Sequence, residues 1–351
     1  MQSKLFRHIY STTLVTTLLA SSSLAFPSAH VSAAAEQTNL ASITIDQAIE
    51  MALNNNADLE LLRLAADTTY YDSLITLRDS QAIKEDSIYT FKDAQSKYKK
   101  AAEAKKDIAA SKATMDALKS SLRLQVEQAY LEVLSLETKI KLQRQSIQRH
   151  YWYPSPNAEA KEALAKLQTS LQEALAKLNN LLLEVPDKEW KLSAYDLIQY
   201  QLSTWEEVQT IAYEKRPDMI KAEEERKLAE VKLNIVAKYS LSSSYDGKIA
   251  RNNLKKAEIL LQRTKSTVDK EVKENYEKVV SAKKAMEDSR AAKVAAQKQY
   301  DEMWADYLNR KVSLDELIDI EAKLLDSETK ATDSMYQYNV AVVTLKQSIG
   351  N

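Results

Sequence analysis

An all-α protein made of two structurally repeated halves, with long antiparallel coiled-coil-like helices drawn out into an elongated rod and no β-barrel, is predicted by three observations. The first is composition: 351 residues contain two Gly, five Pro and no Cys. Tight turns and sheet connections draw on Gly and Pro, so a chain this poor in them has few turns and no sizeable sheet. The second is periodicity. Between Lys248 and Leu308 there is no Gly or Pro, and Leu254, Ala257, Leu261, Val268, Val272, Val279 and Met286 recur at helical spacing. At 1.5 Å per residue this seam implies a helix roughly 90 Å long, stable only with other long helices beside it. The third is a phrase written twice, Thr44-Ile45-Asp46-Gln47 and Thr204-Trp205-Glu206-Glu207, a constant 160 positions apart. Both are capping boxes that start a short helix.

Taken in order, the chain opens with Lys4 and Arg7 ahead of an apolar run from Ile9 to Phe26 and small residues through Val31-Ser32-Ala33. Residues 1–35 read as a secretory signal peptide. Thr44 then caps a helix over 45–55, Asn54-Asn55-Asn56 punctuates, and helices follow over 57–85, 88–150 and 157–184. Thr204 opens the second set over 205–215, with 217–240, 248–308 and 313–349 after it. Pro217 stands at a first helical position, where its missing N–H costs nothing. Residues 36–186 form a first helical repeat, 187–202 a linker and 203–351 a second repeat. Val126–Tyr130 matches Val272–Tyr276 at an offset of 146, and Ala174–Leu182 matches Ala341–Ile349 at 167. The first half therefore has 14 extra residues before its long helix and lacks 21 after it. Shared between two arms, these differences make the first hairpin tip roughly 15 Å shorter and the opposite end about 10 Å longer.

The turns carry their own chemistry. Ser242-Ser243-Ser244 with Asp246-Gly247 reverses the chain in the second half, and Tyr153-Pro154-Ser155-Pro156-Asn157 does so in the first. Asn309 to Val312 forms the second tip, closed by Ser313 as the N-cap of the last helix.

The duplication, the opening phrase from Ile43 to Asn56 and the closing phrase from Tyr307-Leu308 through Ser313-Leu314-Asp315 to Glu321 resemble the TolC-type outer-membrane efflux family, over nearly all of Ile43 to Gly350. The resemblance implies a trimer of helical protomers topped by a shared β-barrel, whose tips meet an adaptor and an inner-membrane pump, exporting drugs, toxins or metals. This sequence departs from that pattern. A barrel needs two strands of about nine to eleven alternating residues in each half. Here only Leu241–Gly247 and the polar Gln81–Ser87 stand in those places, and Arg310 falls where the family has a tip Gly. The expectation is a barrel-less relative, exported to the cell envelope or beyond, with no membrane span once the leader is removed.

Little points to catalysis. His8 and His30 lie in the leader, and His150 beside Tyr151-Trp152-Tyr153 reads as a capping or solvent-facing group. Glu223-Glu224-Glu225 point in different directions around a helix. No Gly-rich phosphate loop exists, the balanced charge speaks against nucleic acid, and no cofactor or metal site is expected. The expected partner-contact tip is Leu308, Arg310, Val312 and Leu314, facing an adaptor or pump subunit. Tyr151–Tyr153 reads as a plug closing the shorter hairpin or, alternatively, as a contact platform. A non-transporting envelope rod is the competing reading.

Overall fold

The computed structural model describes residues 41–149, 157–195 and 200–350. The leader, the Tyr151–Tyr153 cluster with His150, and residues 196–199 of the linker lie outside the described residues. Helix dominates the rest, in two sets, the first of five α-helices and the second of four. In the first set, α1 (Ile45–Asn55) and α2 (Ala57–Ala82) lead through a turn to α3 (Phe91–Ala94), a π-helical segment (Gln95–Lys99), α4 (Lys100–Arg149) and α5 (Asn157–Leu182). The second set is α6 (Trp205–Lys215), α7 (Pro217–Tyr239), α8 (Tyr245–Leu308) and α9 (Leu314–Ser348). Its 64-residue α8 spans about 96 Å at the standard rise.

Caps set the helix starts. The Gln47 N–H donates to Thr44 Oγ1 at 3.3 Å while the Thr44 N–H donates to Gln47 Oε1 at 2.9 Å. Thr204 and Glu207 repeat this at 3.3 and 3.0 Å. Asn56 caps α2 through Leu59, and Pro217 begins α7. The closing helices α5 and α9 end alike, on left-handed residues 167 positions apart, Leu183 (φ 56°) and Gly350 (φ 81°).

Two buried clusters, one in each half, use equivalent positions. In the first, Leu122, Val126 and Val133 of α4 lie with Leu178 and Leu182 of α5 and Ala48 and Ala52 of α1. Shifted by 146, 167 and 160, these become Val268, Val272, Val279, Leu345, Ile349, Val208 and Ala212, all buried together in the second. The Tyr130 hydroxyl lies 2.9 Å from the Ile43 carbonyl, and the Tyr276 hydroxyl lies 3.2 Å from that of Ser203. Each tyrosine thus ties its long helix to the residue just before the capping threonine.

Three local features complete the fold. Ala41–Ile43 (β1) pairs in parallel with Trp190–Leu192 (β2), a strand pair too short for any period to announce. The linker after α5 is packed, because buried Asn179 donates to the carbonyls of Pro186 and Lys188 and accepts from Trp190 Nε1 at 2.7 Å. The 14 extra residues are divided unequally. Ala82 ends α2 three residues beyond the counterpart of α7's last residue, while Phe91 begins the return helix eight residues before the counterpart of Tyr245. The rest lengthen the turn, whose Ile88 folds back onto Ile235 of α7, and the π segment absorbs a residue within the helix. In the matching turn Gly247 is required: a Cβ there would lie 2.3 Å from the Ser242 carbonyl oxygen.

Among the described residues there is no closed barrel, strand being confined to β1 and β2. No described helix is long and apolar enough to cross a membrane.

Candidate functional site

The hairpin tip between α8 and α9 is built by two opposed helix ends. At the end of α8 the Lys311 N–H donates to the Asp306 carbonyl and the Arg310 N–H to that of Tyr307, both at 2.9 Å, a Schellman termination that puts Arg310 at φ 57°. A left-handed conformation costs an L-residue about 1–2 kcal/mol. Here a long cation stands where glycine is the cheap choice, and its side chain is exposed. Ser313 starts α9: the Glu316 N–H donates to its Oγ at 3.3 Å and its own N–H donates to Glu316 Oε2 at 2.7 Å. The Ser313 N–H and the Ser313 hydroxyl, the latter at 2.9 Å, both donate to the Glu316 carboxyl and hold it below its usual range. Between the caps, Leu308 is exposed and Val312 and Leu314 are half-buried. The tip thus brings Leu308, Arg310, Val312 and Leu314 onto one short turn, whereas Thr44 and Thr204 lie on the short helices α1 and α6, far along the chain from it.

Behind the tip sits an ion cluster that sequence reading did not find. Arg149, the last described residue of α4, donates through Nε to Glu321 and through an Nη to Glu328 of α9, both at 3.1 Å. Both glutamates are buried. A signal for it exists in the sequence, since Glu321 and Glu328 alternate with Leu317 and Leu324 along the buried seam of α9, and carboxylates inside an apolar stripe call for a cation. Arg149 also lies over the Tyr300 ring at 5.7 Å, and Tyr300, Trp304 and Tyr307 follow one another along α8 toward the tip. Since Arg149 reaches Glu321 and Glu328, α9 continues about 10–20 Å past that level to Leu314.

The sides of the array present a second surface. At the turn end the order of packing is α2 on α4, α4 on α7 and α7 on α8, leaving α2 and α8 as opposite edges. Leu61, Leu64, Tyr71 and Ile75 of α2 are exposed and fall within about 80° of one another around the helix. On α8, Ile249, Leu260 and Val280 are exposed.

Comparison with solved structures adds the context. A membrane protein from Pseudomonas aeruginosa superposes with a TM-score of 0.62 at 16% identity, covering 87% of this chain and 93% of that one. The open state of the MtrE outer membrane channel of Neisseria gonorrhoeae gives 0.62 at 14%, with 88% and 89% covered. The CmeC outer membrane channel of Campylobacter jejuni gives 0.59 at 14%, with 93% and 94% covered. The chain has the helical fold of these proteins. No family model matches the sequence, and no curated protein matches it. At these identities the shared feature is the fold alone.

Among the described residues no group of three or more His, Cys, Asp or Glu is placed to hold a metal ion. Among the described residues, the buried carboxylates behind the tip, Glu321 and Glu328, are joined to Arg149, which links α4 to α9.

Proposed function

We propose that this protein is an exported helical component of an efflux or secretion assembly, acting by its architecture and not by local catalysis. In this reading copies of the chain join edge to edge, α2 of one against α8 of the next, and the α8–α9 tip meets an adaptor or pump subunit through Leu308, Arg310, Val312 and Leu314. The observation that carries it is the open-edged helix array. Both edges keep apolar side chains in water, and a heterologous contact repeated with closure buries every edge in a ring. The likeness to solved outer membrane channels supports the same architecture. A trimer is the ring that the family resemblance implies.

The lack of a closed barrel among the described residues favours a second reading, an envelope spacer that keeps the helices without forming a conduit. The two separate by mass. The exported protein is expected to run as a discrete oligomer in native mass spectrometry, and Leu64→Glu with Ile75→Glu is expected to reduce it to a monomer with unchanged helicity. A wild-type protein that is monomeric at micromolar concentration would leave the spacer reading standing alone.

A further inference from the structure

A groove of about 470 Å³ opens between α4, α8 and α9, beside the segment that follows β2. Leu131, Met286, Met335 and Tyr336 contribute to its largely apolar wall, and Arg290 and Lys293 are the charged residues that line it. No carboxylate lines it. Arg290 and Lys293 stand three positions apart on α8, where like charges repel. The positions three and four away from Lys293 on either side hold Ser289, Arg290, Ala296 and Gln297, so its own helix offers it no acid. Arg290 has Glu287 three positions before it on α8, outside the groove lining; two cations against that one acid, beside an apolar trough, match a ligand that carries a negative head and an apolar body. The methionines suit that body, because an unbranched thioether adapts to irregular apolar shapes. The volume falls in the range of small-molecule sites.

We infer that this groove binds amphiphilic anions, of the class of medium-chain carboxylates, with the head held by Arg290 and Lys293 and the chain laid along Leu131, Met286 and Met335. The site is separate from the hairpin tip and does not depend on the assembly proposed above. Charge sets the sign of recognition: an alkyl ammonium of the same chain length meets repulsion where the carboxylate meets attraction.

The test uses the full chain with dodecanoate and dodecyltrimethylammonium as probes, both below their micellar concentrations, in isothermal titration calorimetry. Wild type is expected to bind dodecanoate at least tenfold more tightly than Arg290→Glu/Lys293→Glu, and the double variant is expected to favour the ammonium. Every version carries the same apolar leader, so any binding there cancels in the comparison. Because the chain has no cysteine, Ala194→Cys places a single environment-sensitive dye at the groove mouth. Its emission is expected to change with dodecanoate in wild-type background and not in the double variant. Circular dichroism checks that the variants keep their helix content. Equal affinity of wild type and double variant for dodecanoate, equal affinity of wild type for both probes, or a dye response that depends on protein concentration and not on dodecanoate would overturn the proposal; the last would mean that a second copy covers the groove.

Discussion

In the first half, Leu178 and Leu182 are buried with Val126 and Val133; in the second, Leu345 and Ile349 are buried with Val272 and Val279 at the equivalent places. What closes these two cores differs. Tyr130 is fully buried, with the carbonyls of Ile43 and Ser193 at 2.9 and 2.8 Å from its hydroxyl, and the β1–β2 pair and Trp190 lie over it. Burial, countered only in part by the Ser193 bond, pushes the Tyr130 phenol up to about 12. Tyr276 is half-buried, reaches a single carbonyl at 3.2 Å, and meets Trp205 edge-on. The two apolar seams bury residues at matching offsets, while the polar closure differs between the halves.

The largest expected effect falls where the halves touch without repetition. Arg149→Leu takes the guanidinium from buried Glu321 and Glu328, and breaking a buried ion pair in this way costs about 3–5 kcal/mol. Urea unfolding is expected to show that loss, with Glu321→Gln/Glu328→Gln in the same background restoring part of it. A loss below about 1 kcal/mol would mean that α4 and α9 do not rely on the cluster.

Next come the repeated positions themselves. Leu178→Ala and Leu345→Ala are each expected to cost about 3 kcal/mol, the middle of the range for a fully buried leucine. Similar losses sharpen the equivalence of the cores; a difference above about 2 kcal/mol breaks it. The closures are expected to separate where the seams agree. Tyr130→Phe takes the hydroxyl donor from the Ser193 carbonyl, while the Ile43 carbonyl keeps the Ser193 N–H at 3.0 Å, and is expected to cost about 1–2 kcal/mol, against about 0.5 kcal/mol for Tyr276→Phe. Thermal melts of the two variants rank them, and a reversed order would show that the β1–β2 cover is not what makes the first closure tighter.

The smallest effect has opposite signs in the two halves. Gly350 and Leu183 are equivalent helix ends, yet a Cβ on Gly350 would approach the Lys215 backbone to 2.9 Å, whereas Leu183 is exposed. Gly350→Ala is expected to destabilise by about 1 kcal/mol, and Leu183→Gly to stabilise by about 0.5 kcal/mol by relieving the left-handed backbone. Equal signs in the melts would mean that packing, not backbone conformation, governs these ends.

Much of this architecture was legible because it rests on local chemistry. The capping boxes at Thr44 and Thr204 mark the starts of α1 and α6, and the period of α8 is carried by residues that are buried in the structure, Leu261, Val268, Val272, Val279 and Met286. What stayed hidden depends on distant partners. Ala41–Ile43 becomes a strand only because Trp190–Leu192, nearly 150 positions away, lies beside it. Arg149 gives no sign of its role until Glu321 is found 172 positions further on. Arg310 adopts the backbone of a glycine because the Schellman bonds of α8 and the cap of α9 fix the turn between them. The groove beside Arg290 and Lys293 is likewise invisible in sequence, since its walls come from three helices.

The central claim, that the unpaired edges of the helix array meet each other across copies, is tested most directly by cysteine crosslinking. Ile75 on α2 and Ile259 on α8 are both exposed and stand on opposite edges, and the cysteine-free chain gives a clean background. Ile75→Cys and Ile259→Cys proteins, mixed, exchanged and oxidised, are expected to form mixed disulfide dimers far in excess of either like-with-like dimer. Equal yields of all three pairings, or none, would contradict the edge-to-edge assembly.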